Sequence, residues 1–479
     1  MNRILLFSAI LLTATASAQT PCENGMANGY PCSNVDLYSI LTTEEMGGEF
    51  ETNDIWGWTD PETGNEYAVV GLSDGTAFVD ITDPLNPLFL GSLATHTDPS
   101  LWRDVKVYQN HAFIVSEANM HGMQVFDLTQ LRDVEDAPVE FEETTHYELF
   151  GNAHNLVINE ETGYAYAVGT STFQGGLHIV DISEPTNPQL AGSFAEDGYT
   201  HDAQAIIYNG PDADYQNREI VFACNENTLT IVDVDDKEDC QLVAREEYEG
   251  NAYSHQGWVT EDHRYFLLDD EIDENQFGHN TKTYIWDIED LDNPVLVGAH
   301  LGVTEATDHN MYIQGDFVFQ SNYNSGLRIL ELTDLASAEL TEVGFFDVVP
   351  NTDESGYEGS WSNYPYFESG IIALTGMQTG LFLVKPTEGT LVSVNEKESK
   401  EFQVGVYPNP ASDFLNVRFS NFNQPTVDYS IVDITGKQVA SQTNFPAMSG
   451  KFQLNISDLS PGIYMINFGG QKTKRFVVK

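Results

Sequence analysis

Thr76-Ala-Phe-Val-Asp-Ile81 is the stretch that decides the fold, because six more versions of it follow. They read Met123-Gln-Val-Phe-Asp-Leu128, His178-Ile-Val-Asp-Ile182, Thr230-Ile-Val-Asp-Val234, Tyr284-Ile-Trp-Asp-Ile288, Leu327-Arg-Ile-Leu-Glu-Leu332 and Leu381-Phe-Leu-Val-Lys385. The acidic position falls at Asp80, Asp127, Asp181, Asp233, Asp287 and Glu331, and Lys385 takes it in the seventh copy. Successive steps are 47, 54, 52, 54, 44 and 54 residues. A period of roughly 40–50 residues built of short strands is the signature of a β-propeller. The phrase is apolar on nearly every residue, as a strand covered on both faces should be.

Working outward from the first copy, Asp54–Thr59, Glu66–Leu72, Thr76–Thr82 and Leu88–Ala94 read as the four strands of one blade. Asp60-Pro-Glu-Thr-Gly-Asn65 and Asp83-Pro-Leu-Asn-Pro87 are turn sequences between them. The seventh repeat offers only three strands, Gly359–Tyr366, Gly370–Gly376 and Gly380–Pro386. Val35–Leu41 looks like a fourth strand without the other three, so it is expected to complete that blade and close the ring. The expected organisation is a signal peptide (1–18), an N-terminal segment (19–52) with the closing strand at 35–41, a seven-bladed propeller (53–386), a linker (387–400) and a small β-sandwich domain (401–479).

The signal peptide rests on Arg3, the short apolar run Ile4–Leu12 and the small-residue motif Ala16-Ser-Ala18 before Gln19. That run is too short to span a bilayer, and no other segment reaches membrane length. Charge is uneven. Residues 20–385 carry 10 Lys and Arg against 66 Asp and Glu, a net of −56, whereas residues 401–479 carry 7 against 5, a net of +2. So acidic a body excludes nucleic acid as a partner, because phosphates need cations. It fits either solubility at high ionic strength or capture of divalent cations. Export allows disulfides. Cys22 and Cys32 flank a loop with Gly25, Gly29 and Pro31 and are expected to pair. Cys224 ends one strand and Cys240 begins another two further on, which places them at opposite ends of a sheet and leaves their pairing open.

Two resemblances extend this reading. Tyr407-Pro-Asn-Pro410, Asp433-Ile-Thr-Gly-Lys437 and Leu459-Ser-Pro-Gly-Ile-Tyr464, in this order, resemble the type A sorting domain of the type IX secretion system of Bacteroidota. The resemblance implies that residues 401–479 engage that secretion machinery, that the domain is then removed, and that the body is released or attached to surface lipopolysaccharide. Asn53-Asp-Ile-Trp-Gly-Trp-Thr-Asp-Pro61, Gly151-Asn-Ala-His-Asn155, Asn227-Thr-Leu-Thr-Ile-Val-Asp233, Thr260–Glu271 and Phe277-Gly-His-Asn-Thr281 resemble the choice-of-anchor B family, built on the LVIVD type of propeller repeat. That likeness implies a fold and an exported, cell-surface location, and supplies no reaction.

The first strand of each blade lines the axis of a propeller. Equivalent positions read Ile55, Arg103, His154, His201, His255, His309 and Trp361, and the next positions read Trp56, Asp104, Asn155, Asp202, Gln256, Asn310 and Ser362. Successive strand residues face opposite sides, so the histidines should converge at one height. Four imidazoles suit a transition metal such as Zn²⁺, Cu²⁺ or Fe²⁺. The same residues, with Arg103 and Asp202 as charged helpers, suit an anion or small polar ligand, and they equally suit plain hydrogen bonding that seals the ring. Asp269-Asp-Glu-Ile-Asp-Glu-Asn275 is the densest acidic loop. It offers hard oxygens for Ca²⁺ without EF-hand spacing, and a solvated loop is the competing reading.

No phosphate-binding loop, dinucleotide fingerprint or His-Glu-x-x-His helix is present in the sequence. The expected function is therefore binding or scaffolding at the cell surface or in the secreted form. The alternative is a channel-centred hydrolase, lyase or oxidoreductase that uses the histidines.

Overall fold

A computed structural model describes residues 19–391 and, further on, residues 403–407, 411, 414–420, 426–433, 437–446, 451–457, 459–468 and 472–479. The expected signal peptide and residues 392–400 of the expected linker lie outside the described residues. The chain divides into two units, Met1–Leu391 and Val392–Lys479. Both are built of strands, with only a few single helical turns among the described residues.

The first unit contains seven antiparallel sheets, each with a core of four strands. The first is Thr52–Thr59, Glu66–Leu72, Gly75–Asp80 and Leu88–Ala94. The repeated phrase forms the third strand of each sheet. Its apolar side chains are buried on both faces; Ala77, Phe78 and Val79 are all inaccessible. Rings from neighbouring sheets meet, Phe78 on Phe126 at 4.4 Å and Phe222 on Phe266 at 5.6 Å. The cores thus lie between sheets, and burial of those faces is what stacks one repeat on the next.

The opening strands of the seven sheets are Thr52–Thr59, Arg103–Tyr108, Asn155–Asn159, Asp202–Ile207, Ser254–Val259, Asn310–Gln314 and Ser360–Tyr364. Each neighbours the next, and the seventh neighbours the first, so they form a closed circle. The seventh sheet is completed by Val35–Thr42, antiparallel to Gly380–Pro386 with Leu41 opposite Leu381. Gly380 sits at φ +127°, where a Cβ would lie 2.1 Å from the Leu41 carbonyl oxygen. Only glycine lets the two ends of the unit approach so closely.

Two features depart from a plain fourfold repeat. The segment after the second phrase runs back to the first sheet, where Val139–Phe141 pairs in parallel with Leu88–Ala94. The N-terminal hairpin Met26–Ala27 and Tyr30–Ser33 extends the sixth sheet, Cys32 lying opposite Phe346. Cys22 and Cys32 form the expected disulfide, while Cys224 and Cys240 are both free.

Among its described residues the second unit has a three-stranded sheet (Gln403–Tyr407, Phe414–Ser420, Lys451–Asn455) and a four-stranded one (Gln438–Pro446, Thr426–Asp433, Gly462–Phe468, Lys472–Val478). Leu415, Val417, Ile431, Ile466, Phe468 and Phe476 form their shared core.

Candidate functional site: the axial channel

The four histidines converge. Ring centroids are 4.1 Å apart for His154 and His201, 4.3 Å for His201 and His255, and 4.5 Å for His255 and His309, with Trp361 4.9 Å beyond His309. Four consecutive sheets therefore contribute one ring each to an arc. Every Nδ1 in it has a partner. His201 Nδ1 donates to the His255 carbonyl oxygen at 3.1 Å, and His309 Nδ1 to the Trp361 carbonyl oxygen at 2.6 Å. His255 Nδ1 lies 3.0 Å from Asp269 Oδ1, and His154 Nδ1 lies 2.6 Å from Glu117 Oε1. A carbonyl can only accept, so His201 and His309 carry their proton on Nδ1. Burial holds His201 and His255 well below the ordinary imidazole range and His309 at about 4, so these rings are neutral and Nε2 keeps its lone pair.

Glu271 completes the arrangement. Its Oε2 lies 4.0 Å from His255 Nε2 and its Oε1 3.9 Å from His309 Nε2, while Tyr323 donates to Oε1 at 2.8 Å. One ligand atom each from His201, His255 and Glu271 falls within 4.8 Å of the others. Imidazoles anchored through Nδ1, with Nε2 bare beside a carboxylate, fit a borderline transition metal. The space left among the rings is about 10 Å³, room for one ion or one water and no organic molecule.

Two residues expected in this layer behave differently. Arg103 lines the layer beside Trp102, but its guanidinium is buried and turned away. It donates to the Leu72 carbonyl oxygen and to Thr95 Oγ1, and meets His121 Nε2 at 3.1 Å. The guanidinium is thus committed to these partners. Ile55 does not face the axis at all. It packs against Leu41, Ala68 and Val70. The register of the first sheet shifts between Thr52 and Ile55, and that of the fifth between Ser254 and Gly257. Thr52 and Ser254 therefore correspond, and the counterpart of His255 is Asn53. A bulge of this kind turns a strand by one residue.

Asp202 points the other way, into a cavity of about 390 Å³ at the far end of the same strands. Its walls include Trp56, Trp258, Tyr312, Tyr364 and Tyr366. Trp56 meets Tyr364 at 5.2 Å and Trp258 meets Tyr312 at 5.1 Å, both edge to face. Lys106 Nζ stands 4.8 Å from the Trp56 ring centroid and is bonded to Asp54 at 3.1 Å and to Asp104. Asp202 Oδ1 accepts from the Ala203 amide at 2.6 Å, and Oδ2 has no hydrogen-bond partner among the described residues. Burial raises the Asp202 carboxyl to about 6, against the opposing pull of Lys106.

The acidic loop is not solvated. Asp269 supports His255, Glu271 enters the channel, and Asp270, Asp273 and Glu274 are all buried. The sequence reading passed over Glu271 and the aromatic cavity. Glu271 stood inside an acidic run with nothing to single it out. Trp258 and Tyr312 come after a His at three residues' distance in their strands, a spacing whose meaning shows only once the strands are side by side.

Residues 405–479 match the family model of the secretion system C-terminal sorting domain, and residues 150–196 match that of the LVIVD repeat. No curated protein matches the chain. Similar solved structures include a functionally unknown protein from Desulfotomaculum acetoxidans (12% identity, 68% of this chain and 90% of that one, TM-score 0.46). Another is the Cps50 (Swd1) β-propeller domain of Myceliophteria thermophila (12% identity, 70% and 98%, TM-score 0.44). A third is the periplasmic gluconolactonase PpgL of Pseudomonas aeruginosa (12% identity, 60% and 87%, TM-score 0.43). Among the described residues no helix is long and apolar enough to cross a membrane. The C-terminal sorting domain implies handling by the type IX secretion machinery and points to a secreted or outer-membrane surface protein.

Proposed function

We propose that this chain is an exported seven-bladed β-propeller of the choice-of-anchor B type, followed by a small sandwich that serves as its sorting signal. The body acts as a binding module at the cell surface or after release, and its ligand is a neutral saccharide held in the aromatic cavity of the channel. The cavity carries this reading: at about 390 Å³ it falls within the usual range for small-molecule sites, unlike the histidine layer. Aromatic faces suit the apolar faces of a sugar ring, and Asp202 with Gln204 offers polar groups for its hydroxyls. An organic cation fits less well, because Lys106 already occupies the face of Trp56. Asp202 and Glu160 on the wall disfavour an anion.

Titration of the purified protein with neutral mono- and disaccharides, followed by tryptophan fluorescence, tests the reading through Trp56 and Trp258. A saturable change that Trp258→Ala removes is expected. A response to a quaternary ammonium ion and to no sugar would refute it, as would silence toward every sugar at tens of millimolar.

The second reading is a metal-dependent hydrolase, lyase or oxidoreductase. The bare Nε2 atoms of His201 and His255 beside Glu271 favour it, with His154 and His309 at the flanks. A metal held there would supply Lewis acidity, and the chain's part is to fix the rings through their Nδ1 bonds. Attachment to lipopolysaccharide after removal of the tail belongs to the same proposal of surface display.

A further inference from the structure

The fifth sheet buries a group of carboxylates that neither reading above uses. Asp273, Glu274 and Asp308 are 0%, 2% and 1% exposed. Asp273 Oδ2 accepts from Tyr284 Oη at 2.9 Å and from Lys282 Nζ at 3.3 Å, and Asp308 Oδ2 accepts from the Lys282 amide at 3.1 Å. The remaining oxygens, Asp273 Oδ1, Asp308 Oδ1 and both oxygens of Glu274, are buried with no hydrogen-bond partner among the described residues. Four such atoms are costly, since a buried carboxylate must be paired, protonated or bound to a cation. The neighbouring Asp270 shows the contrast. It is equally buried, yet it accepts from the Ala252 and Tyr253 amides, Tyr248 Oη and Asn251 Nδ2.

We propose that Asp273, Glu274 and Asp308 bind one Ca²⁺ ion. Among the described residues only one of the three carboxylates, Asp273, meets an ammonium, that of Lys282, which leaves a charge of −2 for a divalent ion to neutralise. The donors are hard oxygens. His279 is near enough to contribute a nitrogen, but that nitrogen is committed elsewhere. Its Nδ1 donates to the Asn280 carbonyl oxygen, which leaves Nε2 as an acceptor, and Nε2 is engaged by Lys282 Nζ at 2.7 Å. An oxygen-only set favours Ca²⁺ over a transition metal. Asp308 stands 34 residues from Glu274 in sequence and opens the sixth repeat, so the ion would join two successive sheets. Glu271, between Asp270 and this group, points instead to the histidines, so the two sites share one loop and no ligand.

The test uses the full chain, stripped with chelator and refilled. Added Ca²⁺ should bind at one equivalent per chain by calorimetry and raise the thermal midpoint by about 5 °C or more. Glu274→Gln and Asp308→Asn should each abolish the equivalent and the shift, without lowering the midpoint of the chelated protein. Asp290→Asn, at an exposed acidic cluster, should leave both intact. Equal midpoints with and without Ca²⁺ would overturn the proposal. A calcium response that survives in both variants, or a shift given by Mg²⁺ and not by Ca²⁺, would overturn it equally.

Discussion

His201 donates its Nδ1–H to the backbone carbonyl oxygen of His255, the next residue of the arc, 3.1 Å away. The imidazole of His255 is itself oriented by Asp269 at 3.0 Å. His201 and His309 thus depend on the next sheet for their orientation, and His154 on the preceding one through Glu117. The arc is a property of the assembled circle, and separate repeats do not contain it.

Transition-metal binding should follow that dependence. The purified body, titrated with Zn²⁺ under competition from a chelator, is expected to hold one ion in the channel. His201→Ala/His255→Ala should eliminate it. Asp269→Ala, which touches no metal position and only releases the His255 ring, should weaken it roughly 10–100-fold. If the double variant loses only stability and binds every metal as before, the rings serve structure alone.

Saccharide binding should depend on pH through Asp202. Its carboxyl titrates at about 6, raised by burial, so the ionised acceptor is present above that pH and lost below it. Affinity should therefore fall as pH drops from 7 to 5 (trial values on either side of about 6). Asp202→Asn should flatten the profile. Stability runs the opposite way. A carboxyl raised in the folded state favours folding while protonated, so its contribution declines as pH rises from the ordinary carboxylate value through about 6. Chemical denaturation at several pH values should show Asp202→Asn to be relatively more stable at neutral pH.

Lys106 should matter more to stability than to binding. Its ammonium joins Asp54 and Asp104 beneath the cavity, and both carboxylates are buried. Lys106→Met leaves them without a cation and should cost about 3–5 kcal/mol in urea denaturation. Combining it with Asp54→Asn should recover part of that loss. Additive costs in the double variant would show that the pair is not coupled.

Export leaves a mass signature. Peptide mapping of the native surface or secreted protein is expected to place its N-terminus near Gln19 and to find nothing beyond about residue 401, as the sorting domain implies. A mature form that keeps its tail would contradict removal.

The repeating phrase by itself determined the strand class, the number of repeats and the order of strands within each. All of these depend on local alternation and on a period that the chain states seven times. It also brought His154, His201, His255 and His309 to the same place, because each opens its repeat in the same position. Tertiary structure decided the rest. The counterpart of His255 is Asn53 and not Ile55, two positions on, because Thr52 aligns with Ser254 ahead of a bulge in each strand, and no composition signals such a bulge. Arg103 found a carbonyl, a hydroxyl and an imidazole in its own neighbourhood and left the axis. Glu271 gained its place only where the fifth and sixth sheets meet, and the aromatic cavity draws on all seven opening strands side by side. Strand formation is encoded within a few residues. A site at the axis exists only after every sheet has buried its faces against the next, and that distance along the chain is what the sequence does not display.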